Sequence, residues 1–593
     1  MTARKPPLLR DGPLALLLLI AYGWLFVFFP GINNPNELVR LYMARAIAER
    51  STYAIGQRDR TPSGRIYESG PLLAEWGYVN DKALACRDAG ERPPYCTGTL
   101  YPAKAPGTSF LEVPVVAGVN AISAGALHRH PTKDEYVFWT RWLVVILPTV
   151  IFWLWLRRFL LALQVDPAIA LTTVLAGALG SLSLTYGQQA AGHQLSSLFL
   201  GGALLAALWP KRSRPALLGF CLGAAVCSEY QAAPAGALIG LAWLLTARPP
   251  LRAVLQAALG AAPPLGLLFH FHAAAFGSIF RTPYSAVENP GFVQDLSPGW
   301  MGISLLSGER AWGSLISPTL GLFFWAPWTL LALPAGLLLW RGARARSVDP
   351  STIASATIAS STVASSRVAA PARHPDWQGR LRARLGAEGP ALVSFAVVAY
   401  YLLFQLNNSL WRSGWTVGPR YLTPLVPFAV VAIARWLQRL EPGARPLGLG
   451  LLAGAGTAGI AATGLASAVC QGFPPEAYNP LREIVLPLLA HGFLPRNPLQ
   501  WLGVPGLWSG LPYFAALALA IAASLRAPLL LEAAPGLDAP LRRRGVAIGC
   551  AVAAALLLAQ WTSHAGETPE GPKGAAFLAS QWVPRLPPGA TPF

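Results

Sequence analysis

The chain has 593 residues, 53% of them hydrophobic and only 12% charged, with a net charge of +19. Its mean hydropathy is +0.43, and many apolar runs reach the roughly 20 residues that cross a bilayer, which excludes an ordinary soluble domain and predicts an all-α polytopic membrane protein. The basic residues cluster at the ends of apolar runs, so the charge reads as membrane orientation rather than nucleic-acid binding.

Arg4, Lys5 and Arg10 precede the first apolar run, about 14–30, and place the N-terminus in the cytoplasm. No small-residue cleavage site follows that run, so it reads as a retained helix. The next stretch, NNPNELVRLYMARAIAER from 33 to 50, is a helix signal. Asn34 can cap it, Pro35 suits its first position and Glu37 falls in its first turn. Val39, Met43, Ala46 and Ile47 make one apolar stripe, which predicts an amphipathic helix along the membrane surface. Glu37 could complete a capping box with Asn34 or look into a site.

The outer loop from 31 to 135 is far longer than an ordinary connection, and loops of that size tend to be functional. It carries Cys86 and Cys96, two of six cysteines, ten residues apart. They point to a disulfide in an oxidising compartment, with two free thiols as the alternative. The second span, about 136–160, ends at Arg157 and Arg158. Spans three and four, about 167–186 and 194–210, lead to Lys211, Arg212 and Arg214 inside. A short pair, about 215–227 and 232–245, is joined through Ser228, Glu229, Tyr230 and Gln231. Span seven, about 254–274, opens a second outer loop, 276–317, with Arg281, Tyr284, Glu309 and Arg310. Span eight ends at Trp340. The Ala/Ser/Thr-rich segment 341–388 then reads as a flexible cytoplasmic loop. Five further spans follow, with an outer turn at NNSLWRSGWTVGPRYLTP, an outer loop at 471–509 and an outer tail from about 563. The total is about thirteen spans.

With this topology the unusual polar residues collect on the outer side: Glu37, Lys104, His193, Glu229, Tyr230, Tyr284, Arg310 and Arg420 among them. Ionisable residues at membrane depth are expensive, so a one-sided set predicts a wet cavity. Taken singly, each could be a headgroup anchor or, for Lys104, a snorkelling side chain. A carboxylate can take a proton from an acceptor hydroxyl, and cations can hold a phosphate and stabilise its departure. Together they fit glycosyl transfer from a lipid-phosphate sugar. No His/Cys/Asp set has metal-ligand spacing, and no P-loop or dinucleotide fingerprint is present. The chemistry is therefore expected to need no metal or other cofactor and no nucleotide-sugar donor.

PNELVRLYMARAIAE resembles the first-loop helix of the GT-C glycosyltransferases, which include protein O-mannosyltransferases and lipid A aminoarabinose transferases. In that family an Asp-Glu pair opens the helix and the Asp is the base. Here Asn36 stands at the Asp position, so the resemblance passes the catalytic role to Glu37. YPAKAPG resembles the second loop motif, in which a lysine lies near the donor phosphate, and so implicates Lys104. GQQAAGHQLSS, SEYQAAP, SPTLGLFFWAP and WTVGPRYLTPLVPF resemble an uncharacterised bacterial branch of the superfamily. The likeness covers roughly 13–440 and implies a GT-C-type catalytic module over 1–440, with C-terminal helices over 441–593. It implies donor-phosphate contacts from Lys104, Arg420, Tyr421 and Arg310. It also implies substrate contacts from Asn36, Arg40, His193, Glu229, Tyr230 and Tyr284. The implied activity is inverting transfer from a polyprenyl-phosphate sugar to a lipid, glycan or protein acceptor. Its place would be the outer face of the bacterial cytoplasmic membrane, among membrane lipids. A transporter or flippase of lipid-linked sugars is the alternative, but paired halves and mid-membrane polar sites are not visible. A non-catalytic envelope scaffold is the third reading.

Overall fold

A computed structural model describes residues 11–32, 34–88, 90–210, 213–299, 302–345, 377–563 and 570–582. Arg4, Lys5, Arg10, Lys211, Arg212 and the 346–376 part of the expected cytoplasmic loop lie outside the described residues.

Among the described residues, eight helices are long and apolar enough to cross a membrane: Gly107–Ala126, Lys133–Ala162, Leu251–Phe276, Glu388–Asn407, Arg420–Arg439, Arg445–Ser467, Gly506–Leu530 and Ala539–Thr562. Five shorter apolar helices accompany them: Asp11–Gly23, Pro167–Leu179, Gly192–Leu208, Pro215–Ser228 and Ala232–Ala247. A helical polytopic membrane protein is what this chain forms. Three details differ from expectation. Gly107–Ala126, expected inside the outer loop, has the length and composition of a span. The expected loop after Trp340 is helical at both described ends, as Ala332–Ala345 and the start of Trp377–Asn407. The outer tail holds a further helix, Glu570–Trp582.

Small residues set how closely the helices approach. Gly450 and Gly454 on one helix lie against Gly545 and Gly549 on another, so a methyl group at Gly450 would run into the Gly545 carbonyl. Hydrophobic burial gives no preference between a neighbouring helix and lipid. Close backbone packing through small residues therefore decides which helices pair.

The 31–135 segment holds an element that no sequence pattern announced, a four-stranded antiparallel sheet in the order β2-β1-β4-β3. Its strands are β1 (Gly56–Arg60), β2 (Ile66–Ser69), β3 (Lys82–Cys86) and β4 (Gly98–Pro102). They are short and charged, as in GQRDR, so apolar alternation is absent. A buried ion cluster compensates. Arg58 donates to Glu68 at 2.6 Å and to Glu288, while Lys82 lies 3.7 Å from Glu288. The Glu288 amide also donates to the Lys82 carbonyl at 3.1 Å. Thus the second outer loop is fastened to the edge of β3.

Strands β3 and β4 form a long-looped hairpin. Their register pairs Cys86 with Gly98 and Lys82 with Pro102. At the loop end Cys86 and Cys96 are joined in a disulfide, as the spacing suggested. At the open end the Ala103 amide donates to the Asp81 carbonyl at 2.7 Å, which places Lys104 one residue beyond. Closing so short a loop should stabilise the hairpin by at most about 2–3 kcal/mol. Cys86→Ser with Cys96→Ser should therefore speed amide exchange over 82–102 and leave exchange in the membrane helices unchanged. Full alkylation of both thiols in the unreduced wild type would show the bond absent in the cell-derived protein.

The Pro35–Arg50 helix is packed inside the protein rather than laid along it with one face exposed. Asn34 caps it through the Asn36 amide, and Pro35 occupies its first turn, as its residues predict. Every residue from Asn36 to Ala46 is nonetheless buried. The Gly107–Ala126 helix packs along it, and Leu38, Val39, Leu41, Tyr42 and Met43 belong to one apolar cluster. The polar face that reads as solvated is paired inside the protein instead. Arg45 donates to Glu49 at 2.7 Å and to Glu75 at 3.0 Å, and Arg40 and Glu37 also meet buried partners. A hydropathy pattern cannot separate a polar side chain facing water from one facing a buried counter-charge.

Candidate functional site

A cavity of about 810 Å³ opens where the 31–135 segment, the 276–317 loop and the 409–421 turn converge. Its wall includes Asn36, Asp81, Lys104, Tyr284, Arg420 and Tyr421, with Asp295 and Arg412 also lining it. Five of the expected site residues, Asn36, Lys104, Tyr284, Arg420 and Tyr421, are therefore brought to one space.

Two cations stand out. Lys104 projects from the end of the β3–β4 hairpin and lies 3.1 Å from the Asp81 carboxylate. Arg420 opens the 3₁₀ turn Arg420–Leu425, is 6% exposed, and leans over the Tyr421 ring at 5.7 Å. The Asn36 amide oxygen accepts from the Arg420 guanidinium. Arg420 faces no carboxylate at ion-pair distance among the described residues, and its Nε has no hydrogen-bond partner. Asp81 itself sits in the left-handed region at φ 61°, a conformation that Asp tolerates better than most residues and that recurs at binding sites. Burial holds the Tyr284 phenol well above its usual range, so it stays neutral and can donate a hydrogen bond at the wall.

Glu37 is placed differently from the role expected of it. Arg141 donates from Nε and Nη2 to its two oxygens, each at 2.7 Å, and the Ala190 amide donates at 2.9 Å. The carboxylate is 1% exposed and does not line the cavity. Nor does it form the capping box, because its oxygens are turned to Arg141. A fork-to-fork pair of this kind fixes geometry strongly and engages both carboxylate oxygens. The Asn-Glu pair thus splits: Asn36 faces the cavity and Glu37 faces the interior.

Arg40, Glu229 and His193 form a buried group behind the wall rather than part of it. Arg40 donates to Glu229 at 2.8 Å, and His193 Nδ1 lies 3.6 Å from the same oxygen. The His193 ring meets Tyr421 edge-on at 5.0 Å, so this group supports a wall residue. Gly192 has to be glycine here, since any Cβ would collide with Glu229 and Arg40. Tyr230 hydrogen-bonds His272 at 2.8 Å and packs edge-on against Tyr284 at 5.5 Å. None of Arg40, His193, Glu229 or Tyr230 lines the cavity. Arg310 is the clearest departure from expectation. It donates to Ser304 at 2.6 Å and to the carbonyls of Leu305 and Asn407, which ties one loop to another away from the cavity. Direct contact with a donor phosphate is not what its position supports.

Sequence reasoning missed Asp81, Arg141 and Asp295. Arg141 carried a signal, being an arginine inside the apolar run EYVFWTRWLVVILP, where a charge demands a buried partner. Asp81 and Asp295 sit in polar loops where an aspartate is ordinary. Among the described residues, no group of three or more His, Cys, Asp or Glu side chains is arranged to hold a metal ion.

No protein-family model matches the chain, and no curated protein matches it. Among solved structures it is similar to ArnT from Cupriavidus metallidurans in the apo state, at 13% identity and a TM-score of 0.38, over 97% of this chain and 79% of that one. It is similar to the same ArnT bound to undecaprenyl phosphate, at 13% identity and a TM-score of 0.36, over 98% and 80%. It is also similar to the arabinosyltransferase EmbB from Mycobacterium smegmatis, at 15% identity and a TM-score of 0.33, over 98% of this chain and 42% of that one.

Proposed function

We propose that this protein is a GT-C-type membrane glycosyltransferase. It moves a sugar, with inversion, from a polyprenyl-phosphate donor to an acceptor at the outer face of the bacterial cytoplasmic membrane. One observation carries the reading: Lys104 and Arg420, from distant parts of the chain, line one cavity with Asn36, Tyr284 and Tyr421. What supports it is that convergence and the motifs that hold these residues, not the distant structural likenesses.

The chemistry follows from the charges. Lys104 supplies a compact positive charge and Arg420 a planar fork suited to two phosphate oxygens. As the bond from the anomeric carbon to phosphate oxygen breaks, negative charge grows on the phosphate. Cations in a partly desolvated site stabilise that charge more in the transition state than in the ground state. A departing phosphate is already a weak base, so no protein acid is required. Asn36 cannot act as a base, but its amide oxygen orients the Arg420 fork. The acceptor is a lipid, glycan or protein hydroxyl, and the reading invokes no metal.

The test uses the full-length protein in proteoliposomes with a panel of undecaprenyl-phosphate hexoses and pentoses. Transfer is expected to release undecaprenyl phosphate on the side where cysteines at positions 104 and 284 react with an impermeant thiol reagent. Cysteines at 157, 344 and 543 should react only from the other side. Movement of intact lipid-linked sugar across the bilayer, with no bond cleaved, would establish the flippase instead.

A further inference from the structure

An inverting transfer needs a base for the acceptor hydroxyl, and the residues expected to supply it are disqualified. Asn36 is an amide, and the Glu37 carboxylate is closed by Arg141 on both oxygens. Glu229 is held by Arg40 behind the wall, and Glu288 by Arg58 in the sheet cluster. Glu309 pairs with Arg412 at 2.7 Å on the exposed rim. The cavity wall has two aspartates, Asp81 and Asp295.

Their surroundings separate them. Asp81 is bonded to Lys104, the cation proposed to hold the donor phosphate. In an inverting displacement the attacking oxygen and the leaving oxygen lie on opposite faces of the anomeric carbon. A carboxylate attached to the leaving group's cation is therefore on the wrong face. Asp295 is at the end of the short helix Pro290–Leu296 in the second outer loop. That loop is fixed to the first through Glu288 and β3, so Asp295 belongs to a held wall segment. No ion pair engages its carboxylate among the described residues.

We propose, on the glycosyltransferase reading above, that Asp295 is the general base of this enzyme. Its carboxylate takes the proton of the acceptor hydroxyl. The acceptor oxygen forms the new bond to the anomeric carbon. The bond from that carbon to phosphate oxygen breaks, and its electron pair leaves with the polyprenyl phosphate held by Lys104 and Arg420. The base and the donor-phosphate cations come from different segments around one cavity. Although the residue is exposed, partial desolvation at the cavity raises the Asp295 carboxyl above its ordinary value, the direction that makes a stronger base at neutral pH. Tyr78, Asp81, Lys104, Arg141, Tyr284, Arg412, Arg420, Tyr421 and Cys470 are the other titratable or charged groups that line the cavity.

The experiment compares wild type, Asp295→Asn and Asp295→Glu as purified full-length proteins in nanodiscs. Undecaprenyl phosphate is the binding probe and the sugar-phosphate panel the turnover probe. Asp295→Asn should lower transfer by about 10²-fold or more, the usual scale for losing a general base. Binding of undecaprenyl phosphate should stay within about threefold, because the base acts on the acceptor. Asp295→Glu should recover part of the rate. Wild-type kcat/KM should fall as pH drops through the Asp295 pKa, where the base becomes protonated, and that limb should vanish in Asp295→Asn. Near-normal transfer by Asp295→Asn, or equal loss of binding and transfer, overturns the assignment. If wild type neither binds undecaprenyl phosphate nor cleaves any member of the panel, the transferase reading itself falls, and the base with it.

Discussion

Arg141→Met should destabilise the protein by about 3–5 kcal/mol, the scale for removing one partner of a buried ion pair. Arg141 and Glu37 are both almost fully buried, at 4% and 1% side-chain exposure, and each satisfies the other with two hydrogen bonds. Arg141 also donates to the Val27 carbonyl at 2.7 Å, so its loss unfastens the segment after the first helix from the Pro35–Arg50 helix. Glu37 would be left as a buried carboxylate with the Ala190 amide as its remaining hydrogen-bond donor. Thermal and denaturant unfolding of the detergent-solubilised protein measure the effect. Converting both residues to neutral partners, Glu37→Gln with Arg141→Gln, should recover much of the lost stability, because no charge is stranded. Transfer by that double variant should persist at a reduced rate if Glu37 is structural. Wild-type stability with abolished transfer would instead return Glu37 to the catalytic role that its motif implied.

Arg420→Ala should lower turnover by about 10²–10³-fold, the range for deleting one preorganised donor to a developing negative charge. Lys104→Ala should weaken binding of undecaprenyl phosphate by about 10- to 100-fold, as expected for 1.5–3 kcal/mol from a hydrogen bond to a charged group. Its turnover should fall as well, since a phosphate contact acts in both ground and transition states. Arg420→Lys should rescue poorly, because an ammonium cannot present two parallel donors or hold the Asn36 amide oxygen in the same way. Lys104→Ala strands the Asp81 carboxylate at 4% exposure, so Lys104→Ala with Asp81→Asn separates lost phosphate contact from local destabilisation. Equilibrium binding and single-turnover transfer, measured side by side, distinguish the two residues. Unchanged binding and turnover in both single variants would remove the phosphate site from this cavity.

The sequence by itself determined the membrane character and the helix starting at Pro35 with its Asn34 cap, and it pointed to the Cys86–Cys96 pairing. Each of these rests on local rules: run length against bilayer thickness, capping chemistry, and short cysteine spacing. It also picked out Asn36, Lys104, Tyr284, Arg420 and Tyr421, all of which meet at one cavity. Only the tertiary structure decided what each polar group faces. Glu37 and Asn36 are neighbours in sequence, and adjacent helical positions point about 100° apart, so one reaches Arg141 and the other Arg420. The four-stranded sheet is held by Arg58, Lys82, Glu68 and Glu288 across two loops, an arrangement with no local apolar period to read. For the same reason Asp81 and Asp295 could not be told from ordinary loop residues, while Arg141 signalled a buried partner without naming it. A charge acquires its role from the partner beside it, and in a folded chain that partner comes from a distant segment.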